Sequence, residues 1–367
     1  ILHKEMMDKG VNLILGDGVK AIGEDAVELA SGKKVNAKAV VMAIGVAPET
    51  ALAVDAGLEI GETRGIKVDH NYQTNDEDIY AVGDAIEVYH RLTHKKTRLA
   101  LAGPAQRQAR GAADHIYGIP HRNNGVIGSS VVQVFDLGAA STGLNEKAAK
   151  AAGISYDFVY IIPGDKVGLM PDSNPMHFKL LYEYPTGKIL GAQAIGKGNV
   201  DKRVDVIAAL ILMGGTLEDL KELELCYAPL FGTAKDVVNH AALVALNILN
   251  GVFKQVPVTQ VRELVESNAF IVDVREKNEY EAGHLLNAVN IPLSEIRGRA
   301  GEIPKDKPVY LHCRSSQRSY NALMALQGMG FDNVINISGS FLGICCYEYF
   351  QDQVTGRDKI VTQYNFK

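Results

Sequence analysis

An α/β protein of three units is predicted for these 367 residues, and three observations carry the prediction. The first and last thirds alternate apolar, β-branched runs with helical periodicity, the pattern of a doubly wound sheet. The middle third strings strands together before any helix, the pattern of an α+β unit. The length exceeds what one hydrophobic core organises.

In the first unit, residues 1–122, the opening ILHKEMMDKG reads as the end of an amphipathic helix entering a strand. With no initiator Met and no charged-then-apolar targeting pattern, the chain is expected to begin inside a domain, as the C-terminal part of a longer protein. VNLILG, AVELASGKK with a Ser31-Gly32 turn, and AVVMAIG predict an antiparallel meander followed by a buried strand. Gly65–Asp69 and Asp78–Val82 are further strand candidates, and a helix is expected from Gly103 to Tyr117.

The second unit, residues 123–250, holds strand runs at 131–135, 157–162, 177–184 and 189–196, the last two joined through Pro185-Thr186-Gly187. Helices are expected at 200–213 and 235–250, each with one apolar stripe. GVFKQVP, residues 251–257, reads as a linker. The third unit, residues 258–367, restarts the α/β pattern with FIVDV, VYLHC and NVINI as strands and a helix from about Arg318.

Charge narrows the partners. Lys+Arg 38 against Asp+Glu 43 gives a net charge of -5, so no global basic field gathers nucleic acid or an anionic membrane. The 47% hydrophobic content suits globular domains, and no apolar run is long enough to span a bilayer. The 4 cysteines are too sparse for a secreted disulfide framework or a zinc pattern, which fits a reducing cytoplasm.

Cys313 falls where VYLHC stops and a helix begins, with Arg314 and Arg318 in the same loop. Backbone amides and a positive helix end favour a thiolate over a thiol at such a position, which is the form nucleophilic sulfur chemistry needs. Two arginines and two serines around it predict an accessible thiol. In Cys313-Arg-Ser-Ser-Gln-Arg318 the spacing is one residue shorter than in a phosphate-cradling loop, and this suits sulfur.

With Asp273-Val274-Arg275, Glu279-Tyr280, Gly283-His284 and Asn290-Ile291-Pro292 upstream, the third unit resembles the rhodanese family. The resemblance implies that Cys313 attacks a sulfane sulfur and carries it as a persulfide, stabilised by the loop amides, Arg314 and Arg318. Asp273, Arg275 and His284 are read as structural groups that pin the loop. Asn287 stands where the family usually has Gly, which alters a turn. Cys345 and Cys346, in apolar FLGICCYEYF, are read as packing residues.

Two runs in the first unit, Ala43-Ile44-Gly45-Val46-Ala47-Pro48 and Thr74–Asp84, resemble those of two-dinucleotide-fold flavoproteins, with Leu101–Gln108 opening a helix downstream. The resemblance implies a partial flavoprotein region in which Gly83, Asp84, Ala102, Gly103 and Pro104 contact FAD. No Gly-x-Gly-x-x-Gly loop for FAD or NAD(P)H occurs in the chain, so one wall of the flavin site is expected.

Leu225-Cys226-Tyr227-Ala228-Pro229, Ala234-Lys235-Asp236 and Asn239 resemble the dimerisation domain of coenzyme A disulfide reductases and NADH-dependent persulfide reductases, which are also found fused to rhodanese domains. That resemblance implies a homodimer in which Tyr227 reaches the partner's flavin and redox Cys. It also implies a coenzyme A site with Arg107, Lys235 and Asn239. Lys235 and Asn239, four apart, would share a helix face. Leu169 and Met170 replace tyrosines of the disulfide reductases and cannot donate a proton to a leaving thiolate, which favours persulfides or polysulfides as substrates. Two rival readings remain: an NADH oxidase or peroxidase relative, and a non-catalytic scaffold or sensor carrying sulfane sulfur on Cys313.

Overall fold

The computed structural model describes residues 1–366 and divides into two compact units, Val11–Gly128 and the remainder. In Val11–Gly128 the meander forms from Val19–Ile22, Ala26–Leu29 and Lys34–Asn36, paired antiparallel in that order. A small core gathers Ile66, Tyr72, Ile86, Val88, Ala112 and Val126 under the helix Ala102–Ile116. The run at 39–45 is not the buried strand its composition predicts. It pairs with no strand among the described residues, and Val41 and Ile44 stand 87% and 85% exposed. Gly65–Asp69 and Asp78–Val82 likewise shrink to isolated bridges, Ile66 with Ile60 and Ile86, and Gln73 with Tyr80. A strand needs a ladder partner as well as β-branched residues.

The second compact unit contains two sheets. The first is antiparallel, in the spatial order Ser130–Val134, Leu137–Gly143, Ile189–Gly196, His177–Glu183 and Tyr156–Ile161. Period-two alternation sends Val159, Phe178, Leu180, Ala192 and Ala194 to one face, where they are buried beneath the helices Val200–Met213 and Val237–Leu249. The opposite face presents Phe158, Tyr160, His177, Lys179, Gln193 and Ile195. The strand Leu137–Gly143 and the helices Glu146–Ala152 and Leu217–Lys221 were not expected from the sequence. Asn145 and Thr216 cap those two helices by accepting from the amides of Ala148 and Asp219.

The second sheet is wholly parallel, in the order Lys254–Val256, Val334–Ile337, Val309–His312, Phe270–Asp273 and Ala288–Asn290. Residues 251–257 are therefore not a free linker: Lys254–Val256 pairs residue by residue with Ile335–Ile337, and Phe253 is buried in the core beside Leu311 and Leu326. Parallel strands need cover on both faces. The helix Gln317–Gly328 supplies one side and Ser340–Thr355 the other. The C-terminal ends of the strands meet at Asp273, Cys313 and Ser338.

Phe178 is fully buried between the antiparallel sheet and its helices. Its replacement by Ala should cost about 3–5 kcal/mol, the usual loss for an aromatic removed from a close-packed core, read as a lower chemical-denaturation midpoint at unchanged slope.

Candidate active site

Strand Val309–His312 ends in the core, and the chain turns through Cys313–Ser316 into the helix Gln317–Gly328. Ser316, at φ 79, adopts the left-handed conformation that makes this turn tight. The carbonyls of Cys313 and Arg314 accept hydrogen bonds from the amides of Phe341 and Leu342, both 3.0 Å, in the first turn of the helix Ser340–Thr355. With the loop's oxygens held inward, the amides of Ser315, Ser316, Gln317 and Arg318 find no acceptor among the described residues. They form a cluster of donors at a helix N-terminus, suited to an anion.

Cys313 itself is 1% exposed, contrary to the accessible thiol expected from its polar neighbours. Those neighbours satisfy one another. Arg318 makes a two-pronged ion pair with Glu279 (2.6 and 2.7 Å), and Ser316 Oγ donates to the Ile337 carbonyl. Ser319 Oγ lies 3.7 Å from Cys313 Sγ and 2.7 Å from Asn336 Oδ1, and Ser340 Oγ accepts from the Cys313 amide (3.2 Å). Arg314 is half-buried, and its charge reaches His177 and Cys346.

Beneath the loop, Arg275 binds Asp273 through several hydrogen bonds, donates to the Gly283 carbonyl (2.7 Å) and lies 4.1 Å from the Phe341 ring. Burial opposes ionisation of Asp273, yet nearby positive charge from His312 when protonated and the Arg275 hydrogen bonds hold its carboxyl below the ordinary range. Burial lowers His312, keeping it neutral at neutral pH, so Arg275 is the partner that matters there. His284 stacks on Tyr280 at 3.7 Å between ring centroids. Glu279, Ser319, Asn336 and Ser340 had no assigned role in the sequence. The second strand-to-helix switch at Ser338-Gly339-Ser340 was the available signal for Ser340.

Cys345 is fully buried and its thiol is pushed up to about 12 by burial; burial also raises Cys346. Both behave as packing groups.

In the first compact unit, Gly83 opens a short helical turn at φ 82, and its amide donates to the buried Gln108 Oε1 (2.7 Å). Gln108 thereby ties the Gly83-Asp84 turn to the helix that Ala102, Gly103 and Pro104 begin. Asp84 and Arg107 are exposed. Asp84 is thus a carboxylate open to hydroxyl donors beside a helix N-terminus, and these residues fit one wall of a flavin site.

The Lys235 and Asn239 placement differs from expectation. The helix starts at Val237, because the Asp236 side chain caps it by accepting from Val238 N, so Lys235 lies before the helix. Asn239 Nδ2 donates to the carbonyls of Leu220 and Leu223, both 3.0 Å, closing the end of the short helix Leu217–Lys221. Tyr227 is half-exposed on the segment between these helices.

Comparison with known proteins agrees with this architecture. Residues 1–109 match the pyridine nucleotide-disulphide oxidoreductases, 129–237 the dimerisation domain of that family, and 257–345 the rhodanese-like domain. The chain belongs to the pyridine nucleotide-disulphide oxidoreductases and carries a rhodanese-like domain. Within that family it is similar to the crystal structure of reduced Bacillus anthracis CoADR-RHD, at 42% identity and TM-score 0.89, over 93% of this chain and 61% of that one. It is similar to the NAD-dependent persulfide reductase from A. fulgidus, at 35% identity and TM-score 0.86, over 93% and 62%. It is 29% identical to the coenzyme A disulfide reductase of Staphylococcus epidermidis over 236 residues, 64% of this chain and 53% of that protein. The chain spans about half the length of the curated relatives it matches.

The Arg318 hydrogen bonds hold the Glu279 carboxyl below its ordinary value. A carboxyl depressed in the folded state adds stability above the ordinary Glu value of about 4.3, and that stability is lost as pH falls below it. The melting midpoint should stay level from neutral pH to about 5 and fall below about 4, and Glu279→Gln should flatten part of that fall. An unchanged pH profile in Glu279→Gln would count against the pair.

Proposed function

We propose that the chain is the sulfur-handling part of an FAD- and NAD(P)H-dependent reductase of coenzyme A disulfides, persulfides or polysulfides, and that Cys313 is its sulfurtransferase nucleophile. The observation that carries this reading is the loop after strand Val309–His312: two of its carbonyls are tied down by Phe341 and Leu342, and it places a buried thiol just before a helix N-terminus. With thiosulfate as donor, the Cys313 thiolate attacks the outer sulfur. The sulfur–sulfur bond to the sulfonate breaks, sulfite leaves with the electron pair, and Cys313 retains a persulfide anion. The loop amides stabilise that anion.

Two features of the geometry shape this chemistry. Burial of Cys313 shields the persulfide from water. Arg318, held by Glu279, contributes its charge from a fixed position at the loop. FAD, when bound, would pass electrons from NAD(P)H to sulfur. Gly83, Asp84 and the first turn Ala102–Pro104 are the residues of this chain that would face it, with Gln108 fixing their spacing. Because they make one wall, the chain alone should hold FAD weakly and show no NAD(P)H-driven reduction. A purified chain with a stoichiometric flavin spectrum would overturn that part.

Tyr227 is proposed to act across a two-fold axis in a homodimer. Lys235, exposed, and Arg107 remain candidates for coenzyme A phosphates, whereas Asn239 supports the site through the backbone of Leu220 and Leu223.

Cys313→Ser should abolish transfer of sulfane sulfur from thiosulfate or polysulfide to cyanide. Intact mass should show the gain of one sulfur in the parent chain and none in the variant. Arg318→Ala should fold and lose about 1.5–3 kcal/mol of transition-state stabilisation, the worth of a charge-assisted contact. Neither Cys345→Ser nor Cys346→Ser should change the rate. Normal turnover in Cys313→Ser would sink the assignment.

A further inference from the structure

Tyr160 belongs to the antiparallel sheet, yet it packs on the Cys313 loop's support. Its ring lies over Gly339 and Gly343, so closely that a Cβ built on those glycines would stand 2.4 and 3.1 Å from Tyr160 Cε1. At Gly339 any side chain would collide with the ring, and at Gly343 a methyl would press on it. Gly339 and Gly343 bracket the first turn of the helix whose Phe341 and Leu342 amides hold the carbonyls of Cys313 and Arg314, and whose Ser340 Oγ accepts from the Cys313 amide. The same strand anchors the contact on both sides. Ser338 Oγ donates to the Tyr160 carbonyl (3.1 Å), and Gln255 Nε2 donates to the Phe158 carbonyl (2.9 Å). The Tyr160 hydroxyl is engaged by His177 Nδ1 at 2.6 Å, and burial lowers His177 to about 4, so this partner stays neutral.

We infer that Tyr160 is a positioning residue for sulfur transfer: its ring, supplied by the antiparallel sheet, sets the helix turn that fixes the Cys313 loop. The inference rests on the reading of Cys313 as the sulfur carrier. It assigns the ring, not the hydroxyl, as the operative part, because the ring makes the contact with Gly339 and Gly343 while the hydroxyl points to His177.

The test uses the full chain and thiosulfate, with sulfur loading of Cys313 followed by intact mass and turnover by cyanolysis. Tyr160→Phe keeps the ring and should retain most of the rate. Tyr160→Ala should lower the turnover number at least about tenfold, since small misplacements of reacting groups cost that much or more. Gly343→Ala pushes a methyl against the ring and should slow turnover by a similar factor. The double variant should be slower than the parent by clearly less than the product of the two single losses, because each change relieves the other.

Failure of the parent chain to gain sulfur, or normal turnover in Cys313→Ser, would remove the underlying reading. With the parent active, a parent-like rate in both Tyr160→Ala and Gly343→Ala would overturn the positioning role, as would equal losses in Tyr160→Phe and Tyr160→Ala. Should Tyr160→Ala not fold, Gly343→Ala and Tyr160→Phe still decide: a slow former with a normal latter supports the role, and any other pairing overturns it.

Discussion

Two hydrogen bonds, from the amides of Phe341 and Leu342 to the carbonyls of Cys313 and Arg314, are the constraint on which the sulfur site depends. A peptide loop cannot turn both its donors and its acceptors toward one ligand. Here two of the acceptors are consumed by the neighbouring helix, which leaves the amides of residues 315–318 as the loop's donors at a helix N-terminus. The parallel sheet makes this possible, because adjacent strands Val309–His312 and Val334–Ile337 end together and both hand over to helices at the same edge. One helix begins directly after the Cys313 loop and the other presents its amides to that loop.

Two ion pairs lie around that loop. Asp273 and Arg275 neutralise each other in the core, Arg275 also donates to the Gly283 carbonyl, and Glu279 fixes Arg318. Breaking one partner of the buried Asp273–Arg275 pair is far costlier than removing both, so these two groups constrain the sequence more than they stabilise the fold.

Much of this was legible in the sequence because apolar β-branched runs ending at Cys313 and Ser338 have only one sensible reading. The same rule misled at residues 39–45, where Val41 and Ile44 have strand composition but no ladder to join. The strand Leu137–Gly143 shows the reverse: Leu-Gly-Ala-Ala-Ser-Thr-Gly lacks a strand's composition, and pairing on both edges imposes the conformation. Burial of Cys313 was illegible for another reason. Arginines and serines read as outward-facing residues, but Glu279, Ile337 and Asn336, distant in sequence, take up Arg318, Ser316 and Ser319, and Ser319 lies against the thiol. The helix face expected to join Lys235 and Asn239 fails for a local reason, since Asp236 caps the helix and leaves Lys235 before it.

Lys254–Val256 changes how the two modules can be separated in evolution or by a protease. Its pairing with Val334–Ile337 and the burial of Phe253 mean that the sulfur module begins inside what looks like connecting chain. A cassette cut at Pro257 would leave a bare parallel edge on the very strand that leads to Ser338 and Ser340, inviting edge-to-edge aggregation. A transferable cassette has to start upstream of Phe253, so a recombination seam that preserves the site falls within the last turn of the preceding helix or just beyond it.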